Sequence, residues 1–362
     1  MYYPACVAGC HEFRRGAGRI LPARKSHRAD GAGYFPLQAQ AERGDSTAEL
    51  HLAQAYEQGN GVPQNEETAA KWYTKAADQG NPEAENQVGV MYLTGEEVPR
   101  NKQQAVAWYH KAARQGNAEA MFNLGAAYYN GDGVDIDDAL SYAWFTLAQE
   151  AGSPKATEAV QRAETELKPW VITDAFKKIA ELMEQGEYLP ENRAEATRWW
   201  LKAANRGDAD AQVAIGVRLI QGQGIPPDPA QGRYWCEQDA KQGDARGDNC
   251  MGYLYRHGAG VGADPKEARK WYEQSAKQSD VLGTKMLAEM DASGEGGKAD
   301  GKAACLLYAR LALAGDKDSL RRLALLKPQI SSKAWASVEK ELSLMRVDLS
   351  KFNDEIQNAN SH

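Results

Sequence analysis

Acids and glycines crowd the segment YYNGDGVDIDD, residues 128–138. Carboxylates beside glycines are the usual material of calcium loops and phosphate cradles. Asp132, Asp135, Asp137 and Asp138 could supply oxygen ligands. A calcium loop also needs a terminal bidentate Glu, and counting from Asn130 or Asp132 reaches Tyr142 or Trp144 instead. The related segments GNGV, GQGI and GAGV lack the G-x-x-x-x-G-K-[ST] order of a phosphate loop and follow helix-like rather than strand-like sequence. Of the six histidines, His51, His110 and His257 lie in periodic sequence, and none has an H-E-x-x-H setting or a ligand partner at metal spacing. No nucleophile elbow is present. The residues therefore call for no catalytic group, no metal and no cofactor. Cys236 and Cys250 stay open between two readings. Two buried thiols is the plainer one, and a disulfide between adjacent helices is the other.

The elements that carry these residues explain them better than chemistry does. Trp72, Trp108 and Trp144 are 36 residues apart, as are Trp199, Trp235 and Trp271, with Leu307 continuing the second series. The next position is aromatic at Tyr73, Tyr109, Phe145, Trp200, Tyr272 and Tyr308, with Cys236 the exception. Gly59, Gly95, Gly131, Gly186, Gly222, Gly258 and Gly294 keep the step, and so does a column at Gly80, Gly116, Gly152, Gly207, Gly243, Ser279 and Gly315. Each glycine follows an apolar-periodic run, where a helix C-terminus favours a residue tolerant of positive φ. A third column, Asn65, Asn101, Asp137, Asn192, Asp228, Asp264 and Asp300, precedes the second helix of each unit and predicts an N-cap. Glu195 and Glu267 are placed to close capping boxes. Paired acids such as Glu66 and Glu67 then fall in first turns, where the helix dipole favours them.

Each unit thus reads as helix A, glycine, short loop, helix B, glycine. Alanines at 69, 105, 196, 268 and 304, and at 76, 112, 148 and 203, let helices approach closely, and the Trp column is expected to plug the space between hairpins. One hairpin cannot bury its apolar face alone, so stacking must supply the rest. The segment AVAWYHKAARQGNAEAMFNLGAAYYNGDGV, with AAKWYTKAADQGNPEAENQVGVMYLTG and ATRWWLKAANRGDADAQVAIGVRLIQGQGI, resembles the Sel1-like repeat family, bacterial relatives of the tetratricopeptide repeats, over about residues 46–315. The fold expected is all-α: a right-handed superhelical solenoid of antiparallel helix hairpins, about seven repeats of about 36 residues.

The expected organisation is a disordered basic leader over 1–38, repeats 1–3 over 39–152, and a linker helix and period break over 153–172. Repeats 4–7 follow over 173–315, then closing helices over 316–346 and a polar, fraying tail over 347–362. The break shows as a Trp144-to-Trp199 gap of 55 residues, and Leu167-Lys168-Pro169 returns as Leu326-Lys327-Pro328, which suggests a module used twice. The leader holds six of the 43 Lys and Arg residues, so the rest of a chain of net charge −7 is strongly acidic, which argues against a nucleic-acid surface. No apolar run is long enough to span a membrane. The sequence as given reads as cytoplasmic, or as periplasmic if its start lies elsewhere.

With no reaction centre, the surface becomes the functional feature. The family resemblance implies that helix A lines the inner face of the superhelix. The helix A residues outside the core are then the partner-binding candidates: His51, Gln54, Gln87, Leu93, Asn123, Tyr129, Arg218, Ile220, Tyr253 and Arg256. Aromatics and arginines make the strongest anchors among them. The expected function is a non-enzymatic scaffold or adaptor for one or more proteins or peptides. The narrower alternative is an immunity-type inhibitor of a secreted toxic effector such as a lipase, a role the resemblance includes. A carbohydrate-binding or envelope-associated factor is the remaining alternative. Oligomeric state and partner identity stay open.

Overall fold

The computed structural model describes residues 34–344 and 348–359. The leader expectation falls mainly on residues outside these, and from Tyr34 the chain is helical. The described residues are helical throughout, without strands. They divide into two compact units, residues 1–100 and 101–362.

The first unit holds α1 (Tyr34–Ala41), α2 (Ser46–Gln58), α3 (Glu66–Asp78) and α4 (Pro82–Thr94). Helix α2 pairs with α3 and α3 with α4, while Ala41, Ala48 and Leu52 form a small core under α1. The second unit continues the alternation. It opens with α5 (Lys102–Arg114), α6 (Ala118–Asn130), α7 (Asp138–Glu150), α8 (Pro154–Glu166) and α9 (Pro169–Gln185). Next come α10 (Arg193–Asn205), α11 (Ala209–Gln221), α12 (Pro229–Lys241), α13 (Ala245–His257), α14 (Pro265–Lys277), α15 (Val281–Ser293) and α16 (Gly301–Leu313). The end is made by α17 (Lys317–Leu326), α18 (Ser332–Leu344) and α19 (Leu349–Ala359). Within this unit consecutive helices pack as stacked hairpins from α5 to α8 and from α9 to α17.

Capping sets the helix boundaries. All seven residues of the Asn/Asp column accept a bond from a backbone N–H, at 2.8 Å for Asn65 and Asp137 and at 3.1 Å for Asn192. A second cap column precedes helix A, in which Asn81, Asn117, Asp208 and Asp280 accept from Ala84, Ala120, Ala211 and Gly283. Sequence reasoning missed it because these residues follow Gly80, Gly116, Gly207 and Ser279 and read as loop. The capping-box expectation fails: the carboxylates of Glu195 and Glu267 turn to Arg198 and Lys270. At Ser279 the chain holds φ 64°, so a serine takes the left-handed position that its column otherwise gives to glycine.

The packing corrects the expected role of tryptophan. Trp72 and Trp108 are only half-buried, with the Lys75 and Lys111 ammonium groups 3.9 and 3.6 Å from the ring centres. The following residue is the true knob: Tyr73, Tyr109, Phe145, Trp200, Tyr272 and Tyr308 are all buried. Helix A gives these knobs a column of small buried residues, Ala53, Gly89, Gly125, Ala180, Gly216, Gly252 and Ala288. A Cβ on Gly125 would lie 2.6 Å from Phe145, and one on Gly252 would lie 2.7 Å from Tyr272. Gly125 and Gly252 are therefore sockets for Phe145 and Tyr272. Within the Trp column Trp144 and Trp199, which flank the period break, are fully buried, and Trp235 is buried as well.

At the break, α8 sits 36 residues after α6, in register as a helix A, but no regular helix B follows it. Instead α7 packs against both α8 and the 17-residue α9, whose later part serves as helix A for α10. At the C-terminus, α19 is a helix rather than a frayed end, because Phe352 and Ile356 fall one turn apart and enter the terminal core with Leu323, Val338 and Leu342.

Candidate functional site

The loop that looked like a metal site is occupied by its own fold. Asp137 caps α7 through Leu140 at 2.8 Å, and Asp132 pairs with Lys102 at 2.6 Å. Gly133 has φ 84°, and a Cβ there would lie 2.3 Å from the Lys102 carbonyl, so glycine permits the loop to press against the preceding helix B. Among the described residues no group of three or more His, Cys, Asp or Glu is arranged to hold a metal ion.

Buried acids are structural in the same way. The Gln79 amide donates to the buried Glu49 carboxylate at 2.5 Å, and Gln278 donates to Asp248 at 2.8 Å. Gln242 donates to Gln212 at the same place in another unit, at 2.8 Å. Each bond links the end of one helix B to a neighbouring helix A. Burial pushes the Glu49 and Asp248 carboxyls above the usual carboxylate range. Among the described residues His110 is the one histidine held in a core-like setting. Its ring lies 4.1 Å from Tyr188 and 5.5 Å from Trp144, and burial lowers its pKa to about 4. Arg114 donates to the Glu187 carbonyl at 2.7 Å, so the loop after α9 is fastened back onto α5.

The ten helix A candidates separate by their surroundings. In the first unit His51 is exposed, while Gln54, Gln87 and Leu93 are half-buried. Gln87 hydrogen-bonds the Tyr73 hydroxyl, which itself donates to Glu57 at 2.6 Å. The Leu93 carbonyl accepts from Arg100 at 2.9 Å. In the second unit Asn123 and Tyr129 share α6, and Tyr129 is 40% exposed. Tyr253 on α13 is 44% exposed, with its ring 4.4 Å from His257. Ile220 packs against the core around Cys236 and Cys250.

The two arginines face inward to neighbours. Arg218 pairs with Glu184, lies 5.3 Å from the Trp200 ring and donates to the Ala214 carbonyl at 3.1 Å. Arg256 grips Glu295 with Nε and Nη2, at 3.0 and 2.7 Å, and reaches Glu289 at 3.3 Å. These acids hold the Arg256 guanidinium above its usual pKa. Glu289 passes the link to Arg322, so α13, α15 and α17 are tied laterally by alternating charge. A parallel series runs from Lys177 on α9 through Asp210 on α11 to Arg246 on α13. Sequence reasoning did not find these ladders, although the spacing of about one repeat between opposite charges was a usable signal.

Cys236 and Cys250 form a disulfide, with Cα atoms 5.8 Å apart. This corrects the buried-thiol reading: the two cysteines face each other across the α12–α13 packing surface. Cys305 is the free thiol of the described residues, and burial raises its pKa to about 11.

The Sel1 repeat matches residues 46–81, 82–117, 118–153, 178–208, 209–244 and 251–280, more than half of the chain. The α15–α16 hairpin lies beyond these matches yet keeps the Asp300 cap and the Tyr308 knob. No curated protein matches the chain. Among solved structures, a protective antigen of uropathogenic Escherichia coli displaying an SLR fold is 27% identical, with a TM-score of 0.46. That match covers 86% of this chain, which spans only 65% of the length of the E. coli protein. A Sel1 repeat protein from Oxalobacter formigenes is 27% identical over 68% of this chain and 93% of its own, with a TM-score of 0.31. An immunity protein from Pseudomonas aeruginosa is 20% identical over 66% and 83%, with a TM-score of 0.28.

Proposed function

The chain belongs to the Sel1 repeat family, and from that premise we propose that it is a non-enzymatic interaction scaffold for a protein or peptide partner. One observation carries this reading. The residues that recur at the repeat period are occupied by capping, turning and packing, whereas several helix A positions that change from unit to unit, among them His51, Tyr129 and Tyr253, are exposed. Repetition builds the support, and variation along it supplies recognition.

The partner-facing set is His51, Gln54, Gln87, Leu93, Asn123, Tyr129, Ile220 and Tyr253. Tyr129 and Tyr253 are its anchors, since an aromatic ring offers much contact area for little lost rotamer freedom. Arg218 and Arg256 act as positioning residues, because their guanidinium groups are engaged with Glu184, Glu289 and Glu295.

Affinity capture with the wild-type chain and with Tyr129→Ala and Tyr253→Ala tests the reading. Each anchor variant should retain its helix content and lose roughly tenfold or more in partner affinity, the cost of about 1.4 kcal/mol at a hot spot. Undiminished capture by both variants would overturn this choice of face. Recovery of one toxic effector, with protection of cells that produce it, would identify the immunity-type form of the same scaffold.

A further inference from the structure

One helix junction is built unlike its neighbours. In α12 the knob position holds Cys236 where the other units hold an aromatic. The preceding small position is Gly232 where Ala196 and Ala268 stand in adjacent units. Asp239 replaces the alanine of residues 76, 112, 148 and 203, and Gly247 on α13 replaces the alanine of residues 84, 120, 156 and 211. The changes compensate in volume. A Cβ on Gly247 would lie 2.3 Å from the Ala240 nitrogen and 2.6 Å from the Asp239 carboxylate. One on Gly232 would lie 2.7 Å from Ile220, and one on Gly216 would lie 2.6 Å from the Cys236 sulfur. Glycines at 216, 232 and 247 thus bring α12 close against both α11 and α13.

What holds this junction is correspondingly different. Asp239 is fully buried, and neither of its carboxylate oxygens has a side-chain partner; only the Gly247 backbone N–H bears on it. A buried carboxyl so poorly partnered opposes close packing. The apolar cluster here is Cys236, Cys250, Met251 and Leu254, with Ile220, Ala240, Tyr255, Ala259, Val261 and Trp271 packed against it. The Cys236–Cys250 bond crosses it from α12 to α13.

We infer that the Cys236–Cys250 disulfide is a redox-operated fastener of the α12–α13 junction, so that its reduction loosens that junction selectively. The exchange needs a dithiol reductant. One thiolate of the reductant attacks the sulfur of Cys250, which retains slight solvent access, while Cys236 is closed off. The sulfur–sulfur bond breaks, and Cys236 leaves as a thiolate and takes up a proton. The second thiol of the reductant then attacks the mixed disulfide, releasing Cys250 as a thiol and the reductant as its own disulfide. Two electrons and two protons pass to the protein, and the reductant is oxidised.

In a stacked array each unit touches only its neighbours, so losing one tie weakens one junction. Cys250 shares its helix A column with His51, Gln87 and Asn123, and Tyr253 lies one turn further along α13. Reduction therefore reaches the face assigned above to partner binding. The fastening itself is independent of that assignment, and only its consequence for a bound partner rests on it.

Amide hydrogen exchange on the full chain, oxidised and then treated with dithiothreitol, tests the inference. Reduction should speed exchange in α12 and α13 by about tenfold or more and leave α9, α10, α15 and α16 unchanged. The double variant Cys236→Ala with Cys250→Ala should match the reduced wild type and ignore dithiothreitol. Unchanged exchange in α12 and α13 on reduction, uniform acceleration along the chain, or two alkylatable thiols at Cys236 and Cys250 before reduction each overturns it. If the double variant does not fold, the wild-type comparison decides alone. Weaker partner capture after reduction, with the exchange result in place, extends the effect to binding. Unchanged capture confines the fastener to the fold and refutes its link to the partner face.

Discussion

Gly125→Ala separates a socket from an ordinary helical glycine by the sign of its effect. In the interior of α6, replacing glycine by alanine should by propensity alone stabilise the helix by about 1 kcal/mol. The structure demands the reverse. The new methyl would lie 2.6, 2.7 and 2.9 Å from Cδ1, Cε1 and Cγ of Phe145. These atoms belong to a rigid, buried ring that has the Phe122 ring 5.2 Å away, so it cannot swing clear. The Ser141 hydroxyl also donates to the Gly125 carbonyl at 2.9 Å, which pins α6 and α7 at the same crossing. Overpacking of a rigid core costs about 1–3 kcal/mol, and three sub-contact distances at once place this site at the upper end. After the propensity gain, a net loss of about 2 kcal/mol is expected. Urea unfolding followed by circular dichroism gives the midpoint, and amide exchange in α6 and α7 gives the local effect, since a long array need not unfold as one unit. Combining Gly125→Ala with Phe145→Ala should recover at least about 1 kcal/mol relative to additivity. A Gly125→Ala protein that is more stable than wild type would refute the knob-and-socket reasoning.

Three further outcomes follow from the same geometry. Tyr109→Ala should destabilise by about 3–5 kcal/mol as a fully buried aromatic, and Trp108→Ala by roughly half of that or less, with thermal unfolding and exchange in α5 as the check; equal losses would contradict the assignment of the knob. Asp239 has its pKa pushed up to about 7 by burial, with the nearby Asp244 adding to the effect. The native state therefore binds more protons than the unfolded state between about pH 4 and 7, and its stability falls as pH rises through that window. Relative to wild type, Asp239→Ala should gain on the order of 2–4 kcal/mol across this window in urea midpoints, and a pH-independent difference would remove Asp239 from the account. Asn101→Ala should cost about 1 kcal/mol through loss of the 3.0 Å bond from the Gln104 amide, whereas Ser153→Ala, at a position making no cap bond, should cost little by the same melting assay.

The period and the helix boundaries were legible because each rests on local chemistry. An Asn or Asp before a periodic run and a glycine after it mean the same thing in any fold, and the seven caps from Asn65 to Asp300 confirm it. The knob was misassigned because Trp108 and Tyr109 are adjacent aromatics. One residue on a helix is a rotation of about 100°, and the pattern alone does not tell which of two neighbours points at the core. The sockets at Gly125 and Gly252 held the missing clue, since a mid-helix glycine needs a packing reason. The engagement of Arg218 and Arg256 was hidden because their acids, Glu184 and Glu289, lie in neighbouring units. The disulfide needed the α12–α13 separation, which sequence spacing leaves open.

The most direct measurement of the interaction account is the exchange footprint of a captured partner on this chain. Protection is expected at exposed helix A positions around Tyr129 on α6 and Tyr253 on α13, with the Trp72 and Trp108 faces of helix B unaffected. Protection confined to the helix B faces, or to the loops that join the hairpins, would contradict it.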